Sequence, residues 1–212
     1  MIRSRHILLG IIPALLIVIA IFSFRILQYN ALFSTPDTSK TTSLDLIPIL
    51  PDDPILGAPN APYTVVVFSD LACTGCRAQD MILKDVQKKH PGKLKIIWKG
   101  LPVVPFPYTS GPAHEYAFCA NKQEKFESFK DFAYANFDNL SRATIGTIVE
   151  EIDLDETKLN ACLDSGEATT YIDTVRTLAE LLHVQSVPTI FFENEQIITP
   201  TSVDEWEVVL GL

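Results

Sequence analysis

The sequence predicts an α/β domain in which a strand–helix–strand unit precedes a block of helices and a final pair of strands. Three observations support this prediction. The run Tyr63–Phe68 is short, apolar and rich in β-branched residues, as is typical of a buried strand. A similar run, Leu94–Gly100, follows a helical segment at Arg77–Val86. Residues 110–183 then show helical patterns throughout.

Sequence signals mark where the helices end and how the first strands pair. His90-Pro91-Gly92 ends the first helix, since Pro and Gly both lie past its last periodic residue. Because a helix connects them, the first two strands are predicted to be parallel neighbours. Further helices are predicted at Gly111–Ala120, Glu124–Phe137, Arg142–Glu151, Glu156–Asp164 and Ala168–Leu182.

The C-terminal part predicts a β-hairpin and a capped helix. Strands at Thr189–Phe192 and Gln196–Ile198 are separated by a three-residue turn. Ser202 and Glu205 have the spacing of a capping box, so a last helix is predicted to begin after Ser202. The order of elements is that of a thioredoxin-like fold with an inserted all-helical subdomain at about residues 110–183.

An apolar segment precedes this domain. Ile7–Phe24 is an uncharged run of 18 residues. At about 1.5 Å each it would span roughly 27 Å, near the hydrocarbon thickness of a bilayer. A cleaved signal peptide is the alternative, but its apolar region usually runs about 7–15 residues, and Phe24-Arg25-Ile26 is a poor cleavage context. We therefore expect an uncleaved transmembrane anchor at residues 7–25.

The charges beside the anchor predict its orientation. Arg3 and Arg5 favour a cytoplasmic N-terminus at residues 1–6, although Arg25 on the far side opposes this preference. The rest of the chain would then lie outside the cytoplasm, where disulfides persist. Residues 26–52, rich in Ser, Thr, Pro and Asp, are predicted to be a flexible linker.

The charge balance excludes one class of partner. The chain has a net charge of −9, with 17 basic and 26 acidic side chains, and three of the basic ones lie in the first 25 residues. The rest of the chain therefore holds 14 basic side chains against all 26 acidic ones. Nucleic-acid binding requires clusters of Lys and Arg, and none is visible, so no nucleic-acid partner is predicted.

Two cysteines lie between the first strand and the first helix. Cys73 is predicted at the helix N-terminus, where free N–H groups and the helix dipole favour a thiolate. Cys76 lies one turn further in, so the pair has the layout of a dithiol redox site. Half of a zinc site, or a static disulfide, is the alternative. Zinc would need two more ligands, and the other cysteines are isolated, so no metal site is predicted.

Two separated motifs resemble the DsbA-like thiol–disulfide oxidoreductases. Residues 57–76, GAPNAPYTVVVFSDLACTGC, resemble the start of that family's domain. Residues 184–192, VQSVPTIFF, resemble its cis-proline strand. The similarity extends over residues 53–212, which are therefore predicted to form a DsbA-like domain.

The resemblance implies a role for each matched residue. Cys73 would be the exposed nucleophile that forms a mixed disulfide with a substrate, and Cys76 the buried resolving thiol. Pro188 would be in cis, with Val187 offering backbone groups to an extended substrate peptide.

The sequence also departs from the family pattern. The family usually has Pro after the first cysteine, often followed by His, whereas this chain has Thr74 and Gly75. With no cation between the sulfurs, we expect a weaker oxidant than the strongest members of the family. Val67 stands where many related proteins carry a buried acid. Proton transfer at Cys76 would then need water or Asp70, which can equally be a strand-end or capping residue.

Residues in the helical block allow more than one interpretation. Cys119 and Cys162 have apolar neighbours and can be small buried residues. A structural disulfide between them is preferred, because the compartment is oxidising and some DsbA-like proteins carry such a pair. His114 and His183 are interpreted as ordinary surface or core histidines. The aromatic residues at helical spacing are predicted to be core: Phe126, Phe129, Phe132, Tyr134 and Phe137.

These observations predict a membrane-anchored, extracytoplasmic thiol–disulfide oxidoreductase. It is expected to oxidise the cysteine thiols of substrate proteins through the Cys73–Cys76 disulfide, without any other cofactor. The resemblance implies a quinone-linked membrane partner that reoxidises the dithiol. The alternatives are a reductase or isomerase on the same fold, or a non-catalytic binding or chaperone module.

Overall fold

A five-stranded mixed sheet forms the centre of the domain, in a computed structural model that describes residues 46–212. The strand order is β1-β3-β2-β4-β5. The strands are β1 (Ile55–Gly57), β2 (Tyr63–Ser69), β3 (Leu94–Gly100), β4 (Thr189–Phe192) and β5 (Glu195–Ile197). This architecture confirms the predicted thioredoxin-like α/β fold.

Seven helices complete the described part of the chain. They are α1 (Thr74–Lys89), α2 (Gly111–Asn121), α3 (Phe126–Ala135), α4 (Arg142–Glu151), α5 (Glu156–Ser165), α6 (Glu167–Leu181) and α7 (Val203–Leu210). Helix α1 packs against α7, and α6 packs against β3. As predicted, Ser202 caps the last helix, where its hydroxyl accepts the N–H of Glu205 at 3.2 Å.

The register of the strands brings three chain segments to one edge of the sheet. Strand β2 runs parallel to β3, with Ser69 opposite Gly100. Strand β4 runs antiparallel to β2, with Thr189 opposite Phe68. The chain that leaves β2 and the chain that enters β4 therefore meet at the same edge, so sequence-distant motifs become neighbours.

The central strand is buried on both of its faces. Its residues from Val65 to Phe68 are all buried, although successive side chains point to opposite sides of a sheet. Most of the predicted aromatic core is also buried, but Phe132 is 40 % exposed and Phe137 is half-buried. The prediction was wrong for Phe132 because its position on α3 faces solvent.

A charged pair lies within the core beneath this sheet. Lys99 on β3 and Asp53 are both buried, and their Nζ and Oδ2 atoms are 2.5 Å apart. The Tyr171 hydroxyl donates to the other Asp53 oxygen at 2.8 Å, and the Leu50 N–H donates to Oδ2 at 2.7 Å. The carboxylate is therefore satisfied on all sides, as a buried charge requires.

Two predictions concern the N-terminal region. The transmembrane anchor at residues 7–25 and residues 26–45 of the linker lie outside the described residues. Residues 46–52 were predicted to belong to the flexible linker, and this end of the prediction was wrong. Ile47 is buried, and its N–H donates to Asn194 Oδ1 at 3.1 Å, so the chain is already packed there.

Among residues 46–212, no helix combines the length and the apolar character needed to cross a membrane.

Candidate active site

Cys73 occupies the N-cap position of α1. Its backbone is extended, and its sulfur accepts the N–H of Cys76 at 3.3 Å. The helix begins at Thr74, three residues before the predicted start, so Thr74 and Gly75 form its first turn. A sulfur in this position replaces the hydroxyl or carboxylate that usually satisfies a free N–H of the first turn. It also lies at the positive end of the helix dipole, which favours a thiolate.

The two cysteines differ in exposure and in acidity. Cys73 is half-buried, whereas Cys76 is only 1 % exposed. The hydrogen bond from the Cys76 thiol, followed by the backbone N–H groups of Cys76 and Gly75, outweighs burial and lowers the pKa of Cys73 to about 6. Burial first, and then the interaction with Cys73, raises the pKa of Cys76 far above its ordinary value. Near neutral pH, Cys73 is therefore the thiolate and Cys76 the protonated thiol.

The predicted cis-proline segment lies directly against this dithiol. The Val187–Pro188 bond is cis, and Cys73 Sγ lies 3.6 Å from the Val187 carbonyl oxygen. A Cβ added at Gly75 would lie 3.3 Å from Pro188 Cδ and 3.8 Å from Cys73 Sγ. The absence of a side chain at residue 75 thus allows the two segments to approach closely. The structure brings together every residue that the sequence placed in the redox site.

The Asp70 carboxylate is not placed to carry a proton to or from Cys76. It is completely buried, and its carboxylate accepts several hydrogen bonds. The donors are the N–H groups of Ala72 (2.9 Å), Val103 (2.6 Å) and Val104 (2.8 Å) and the hydroxyl of Ser110 (2.8 Å).

These contacts define the role of Asp70. Burial acts to raise its pKa, but the hydrogen bond and charge interaction with His114 and the backbone N–H groups of Ala72 and Val103 lower the pKa to about 2. A carboxylate that holds its charge so strongly does not cycle its proton near neutral pH. Asp70 instead ties the Pro-rich loop after β3 to the end of β2. Its backbone N–H donates to Cys76 Sγ at 3.4 Å.

His114 is a core histidine, as one of the two interpretations expected. It is 3 % exposed, and its ring stacks on Trp98 with the ring centres 5.5 Å apart. His114 Nε2 lies 3.4 Å from Asp70 Oδ1 and 3.2 Å from the backbone nitrogen of Leu71. A Cβ at Gly100 would lie 2.6 Å from His114 Nδ1, so this strand residue must be glycine for the ring to fit. His183 is exposed, away from this cluster.

Sequence reasoning missed the residues behind Cys76. Ser69 at the end of β2 and Tyr134 on α3 are both buried, and their hydroxyl oxygens are 2.7 Å apart. Asp80 and Trp98 line the same small cavity. Tyr134 lies 65 positions from Ser69, so no local spacing could have joined them.

An apolar surface lies beside the half-buried Cys73 thiolate. Phe106 is 81 % exposed and Tyr108 is 45 % exposed, both in the loop between β3 and α2. Together with Ala72, Thr74 and Phe137 they line a pocket of about 200 Å³. An apolar depression next to a reactive sulfur is suited to holding the apolar side chains of a peptide.

The remaining cysteines form a disulfide within the helical block. Cys119 on α2 is joined to Cys162 on α5, and Cys119 is 0 % exposed. The bond links two helices of the insertion and is separate in the chain from the Cys73–Cys76 pair. Within residues 46–212, no cluster of three or more His, Cys, Asp or Glu side chains is arranged to hold a metal ion.

Comparison with known proteins places the chain among thioredoxin-like sequences. Residues 50–211 match the sequence profile of a family described as Thioredoxin. A curated relative is the Na(+)/H(+) antiporter NhaA 3 of Salinispora tropica, 25 % identical over 160 residues. The match covers 75 % of this chain and 24 % of that protein. The chain therefore spans about a quarter of the length of the curated relative.

Solved structures share the fold at low sequence identity. A thioredoxin-like oxidoreductase from Silicibacter pomeroyi is 22 % identical with a TM-score of 0.65, covering 76 % of this chain and 92 % of the other. A periplasmic thioredoxin-like protein from Salmonella enterica serovar Typhimurium is 22 % identical with a TM-score of 0.65, covering 78 % and 91 %. The thiol-disulfide exchange protein alpha-DsbA2 from Wolbachia pipientis is 23 % identical with a TM-score of 0.64, covering 75 % and 86 %. The resemblance predicted from the two motifs is thus confirmed at the level of the fold.

Proposed function

The chain belongs to the thioredoxin family, and from this premise we propose that it is a thiol–disulfide oxidoreductase that oxidises the cysteine thiols of extracytoplasmic proteins. The observation that carries the proposal is the position of Cys73. Its sulfur accepts a helix N–H, its pKa is lowered to about 6, and it lies beside a cis-proline. A dithiol whose reduced form is stabilised in this way accepts electrons from other thiols.

The reaction proceeds in two exchange steps. A substrate thiolate attacks Cys73 Sγ in the Cys73–Cys76 disulfide, the enzyme S–S bond breaks, and Cys76 leaves and takes up a proton. A mixed disulfide now joins the substrate to Cys73. A second substrate thiolate attacks the substrate sulfur of this bond, and Cys73 leaves as a thiolate. The substrate has lost two electrons and gained a disulfide, and the enzyme holds the two electrons as a dithiol.

The low pKa of Cys73 assists the second step. A thiol of lower pKa leaves a mixed disulfide faster, so the stabilised Cys73 thiolate favours release of the oxidised substrate. Cys76 is buried and protonated in the mixed disulfide, so it competes poorly as the nucleophile that would attack Cys73 and expel the substrate unoxidised. Transfer of electrons from substrate thiols to the enzyme therefore agrees with the difference in pKa and burial between Cys73 and Cys76.

The surface around Cys73 is suited to an unfolded or extended polypeptide. The Val187 carbonyl oxygen lies 3.6 Å from Cys73 Sγ, where it can accept a hydrogen bond from a substrate backbone N–H. Phe106 and Tyr108 offer exposed apolar contacts on the other side of the site. Such contacts are tolerant of sequence, as an enzyme acting on many proteins requires.

The proposed cellular setting follows from the sequence. The expected anchor at residues 7–25, with its apolar run Ile7–Phe24, would hold the chain in the cell membrane by a single pass, with the catalytic domain outside the cytoplasm. The neighbour from Salmonella enterica is a periplasmic protein, which supports this location. A quinone-linked membrane partner would reoxidise Cys73 and Cys76, and the disulfide would be the only redox group needed.

Measurement of the reduction potential tests the proposal. Equilibration with glutathione, followed by quantification of the Cys73–Cys76 dithiol, should give a value less reducing than the about −270 mV of thioredoxin and less oxidising than the about −120 mV of DsbA. The oxidised protein should also convert a reduced dithiol peptide to its disulfide. The Cys73→Ser variant should not do so.

Two results would contradict the proposal. A potential as negative as that of thioredoxin would indicate a reductase. A Cys73→Ser variant that retained its full effect on substrate proteins would indicate a binding or chaperone module.

A further inference from the structure

Thiol–disulfide exchange at Cys76 requires a proton to reach or leave a buried sulfur. Val67, at the position where related proteins often carry a buried acid, is 4 % exposed and apolar. Asp70 is fixed by its hydrogen bonds to Val103, Val104 and Ser110. The path of this proton, which matters only if the proposed exchange at Cys73 and Cys76 takes place, must therefore use other groups.

A small cavity lies directly behind Cys76. Its volume is about 10 Å³, at the lower limit for holding one water molecule. Its polar lining is drawn from four elements: Ser69 on β2, Gln79 and Asp80 on α1, Trp98 on β3 and Tyr134 on α3. The thiol of Cys76 faces the same space.

The polar groups that line this cavity lie close enough together for a single water molecule to connect them. The Ser69 hydroxyl lies in the lining of the same cavity as the Cys76 thiol and is 2.7 Å from the Tyr134 hydroxyl. The Trp98 Nε1–H is buried and finds no hydrogen-bond partner among residues 46–212. A water molecule in the cavity would accept this N–H and connect the hydroxyls to a carboxylate, as buried waters commonly do.

Asp80 connects the cavity to solvent. It lies four residues after Cys76 on α1, so both side chains are on the same face of the helix. Its side chain is 15 % exposed, and its Oδ1 is 2.6 Å from the Nζ of Lys130, whose side chain is completely buried. Lys84 lies 3.5 Å from its other oxygen. The carboxylate is thus anchored between a buried cavity and the surface.

We propose that Ser69, Tyr134 and one water molecule relay the proton of Cys76 to and from Asp80. When Cys76 attacks a mixed disulfide, its S–H bond breaks, its sulfur bonds to Cys73 Sγ, and the substrate thiolate leaves. The proton passes along the relay to the Asp80 carboxylate and then to solvent. When Cys76 is the leaving group, the same atoms carry a proton from solvent to its sulfur.

Several titratable groups surround the relay and enter its pH dependence. On the β2–α1 side these are Cys73 and Asp70, and on α1 they are Asp80 and Lys84. The groups on α3 are Lys130, Asp131 and Tyr134. Asp131 pairs with Lys84 and Lys130 in the same ionic cluster but does not line the cavity, so it provides a matched control.

A single-turnover reaction of the reduced full-length protein with 5,5′-dithiobis(2-nitrobenzoate) separates the two thiols. Cys73 releases the first thionitrobenzoate, and Cys76 releases the second when it resolves the mixed disulfide. In Asp80→Asn the second release should slow about a hundredfold at pH 7, the lower end of what a positioned acid or base contributes. The first release should be unchanged, and Asp131→Asn should match the wild type in both.

The direction of the effect distinguishes a relay from simple electrostatics. Removal of a negative charge near Cys76 favours its thiolate and would speed the second release. A slowing, with loss of the wild-type solvent deuterium effect and a changed pH profile of that phase, therefore reports proton transfer. Tyr134→Phe, which keeps the buried ring, should also slow the second release.

The outcomes are distinct. An Asp80→Asn variant whose second release and pH profile equal those of the wild type would overturn the relay, while the exchange activity stood. A wild-type protein that released no thionitrobenzoate rapidly from Cys73 would instead contradict the proposed function itself.

Discussion

At the scale of single residues, the acidity of Cys73 has a direct chemical readout. Because its thiolate is held by N–H groups of α1 and by the Cys76 thiol, it should react with iodoacetamide with a midpoint near pH 6. Mass spectrometry of the reduced protein across pH 4–9 measures this profile. Cys76 should remain unmodified throughout, since burial raises its pKa. A midpoint near that of an ordinary thiol, at about pH 8.5, would contradict this prediction.

A second residue-scale prediction concerns Asp70. The Asp70→Ala variant leaves the N–H groups of Val103 and Val104 and the Ser110 hydroxyl without their acceptor. Each unsatisfied buried group costs about 1–3 kcal/mol, so the free energy of unfolding should fall by about 3 kcal/mol or more. Denaturant titration at pH 7 measures this loss.

The contribution of Asp70 should also depend on pH. The pKa of this carboxyl is about 2 in the folded protein and about 3.9 in an unfolded chain. Since the folded value is the lower one, the stabilisation is fully present above the unfolded pKa and is lost as the pH falls towards 2. The stability difference between wild type and Asp70→Ala should therefore shrink between pH 4 and 2. A difference that stayed constant over this range would exclude the proposed charge interaction.

At the scale of secondary-structure elements, the disulfide between α2 and α5 holds the helical insertion together. It joins residues 43 positions apart, and in the chain-entropy model a loop of this size contributes about 3–4 kcal/mol. The double variant Cys119→Ala and Cys162→Ala should lose about this much stability in denaturant titration. The reduction potential of the Cys73–Cys76 pair should not change, because the insertion disulfide contacts neither sulfur. A shifted potential would show that the insertion influences the redox site.

The elements that sequence reasoning found were those with local signals. Strand β2 and helix α1 have clear periodicity, and the Cys-x-x-Cys motif lies between them. Strand β1 was not predicted, because the three residues Ile55–Gly57 are too few to show an alternation and are defined only by pairing with β3. The linker prediction failed at Ile47 for a similar reason, since its burial depends on a contact with Asn194, 147 positions away.

At the scale of the whole molecule, the redox state is linked to stability. In the reduced protein the pKa of Cys73 is lowered from 9.0 to about 6, so unfolding takes up a proton between these values. Because the folded pKa is the lower one, the free energy of unfolding of the reduced form increases as the pH rises from 6 to about 8.5. Below pH 6 the stabilisation by the Cys73 thiolate is lost. The oxidised form lacks the thiolate and should show no such change.

Thermal unfolding of both redox forms measures this linkage. The difference in Tm, reduced minus oxidised, should increase between pH 6 and 8. The Cys73→Ser variant, compared with the reduced wild type, provides the control because it lacks the titrating group. A difference that was independent of pH would contradict the assignment of a stabilised thiolate to Cys73.

The whole molecule also shows which parts of such a site can be predicted from a sequence and which cannot. Cys73, Cys76 and Pro188 were identified because each belongs to a short motif. The partners of Asp70 were not, because Val103 and Ser110 lie 33 and 40 positions away and their donors are a backbone N–H and a hydroxyl. Backbone groups have no sequence signature, so contacts of this kind require the three-dimensional fold.

The four cysteine sulfurs differ in how easily a solute can reach them. This difference determines how many electrons the native protein exchanges. Cys73 can meet a solute at the surface and exchange there, whereas attack on the half-buried Cys162 would have to expel Cys119, which is completely buried, as a thiolate in apolar surroundings. A redox titration of the native protein should therefore follow a single two-electron Nernst curve, with a slope of about 30 mV per tenfold change. The protein would accept one electron pair in each encounter with a substrate and pass that pair on, while the Cys119–Cys162 disulfide takes no part in the exchange.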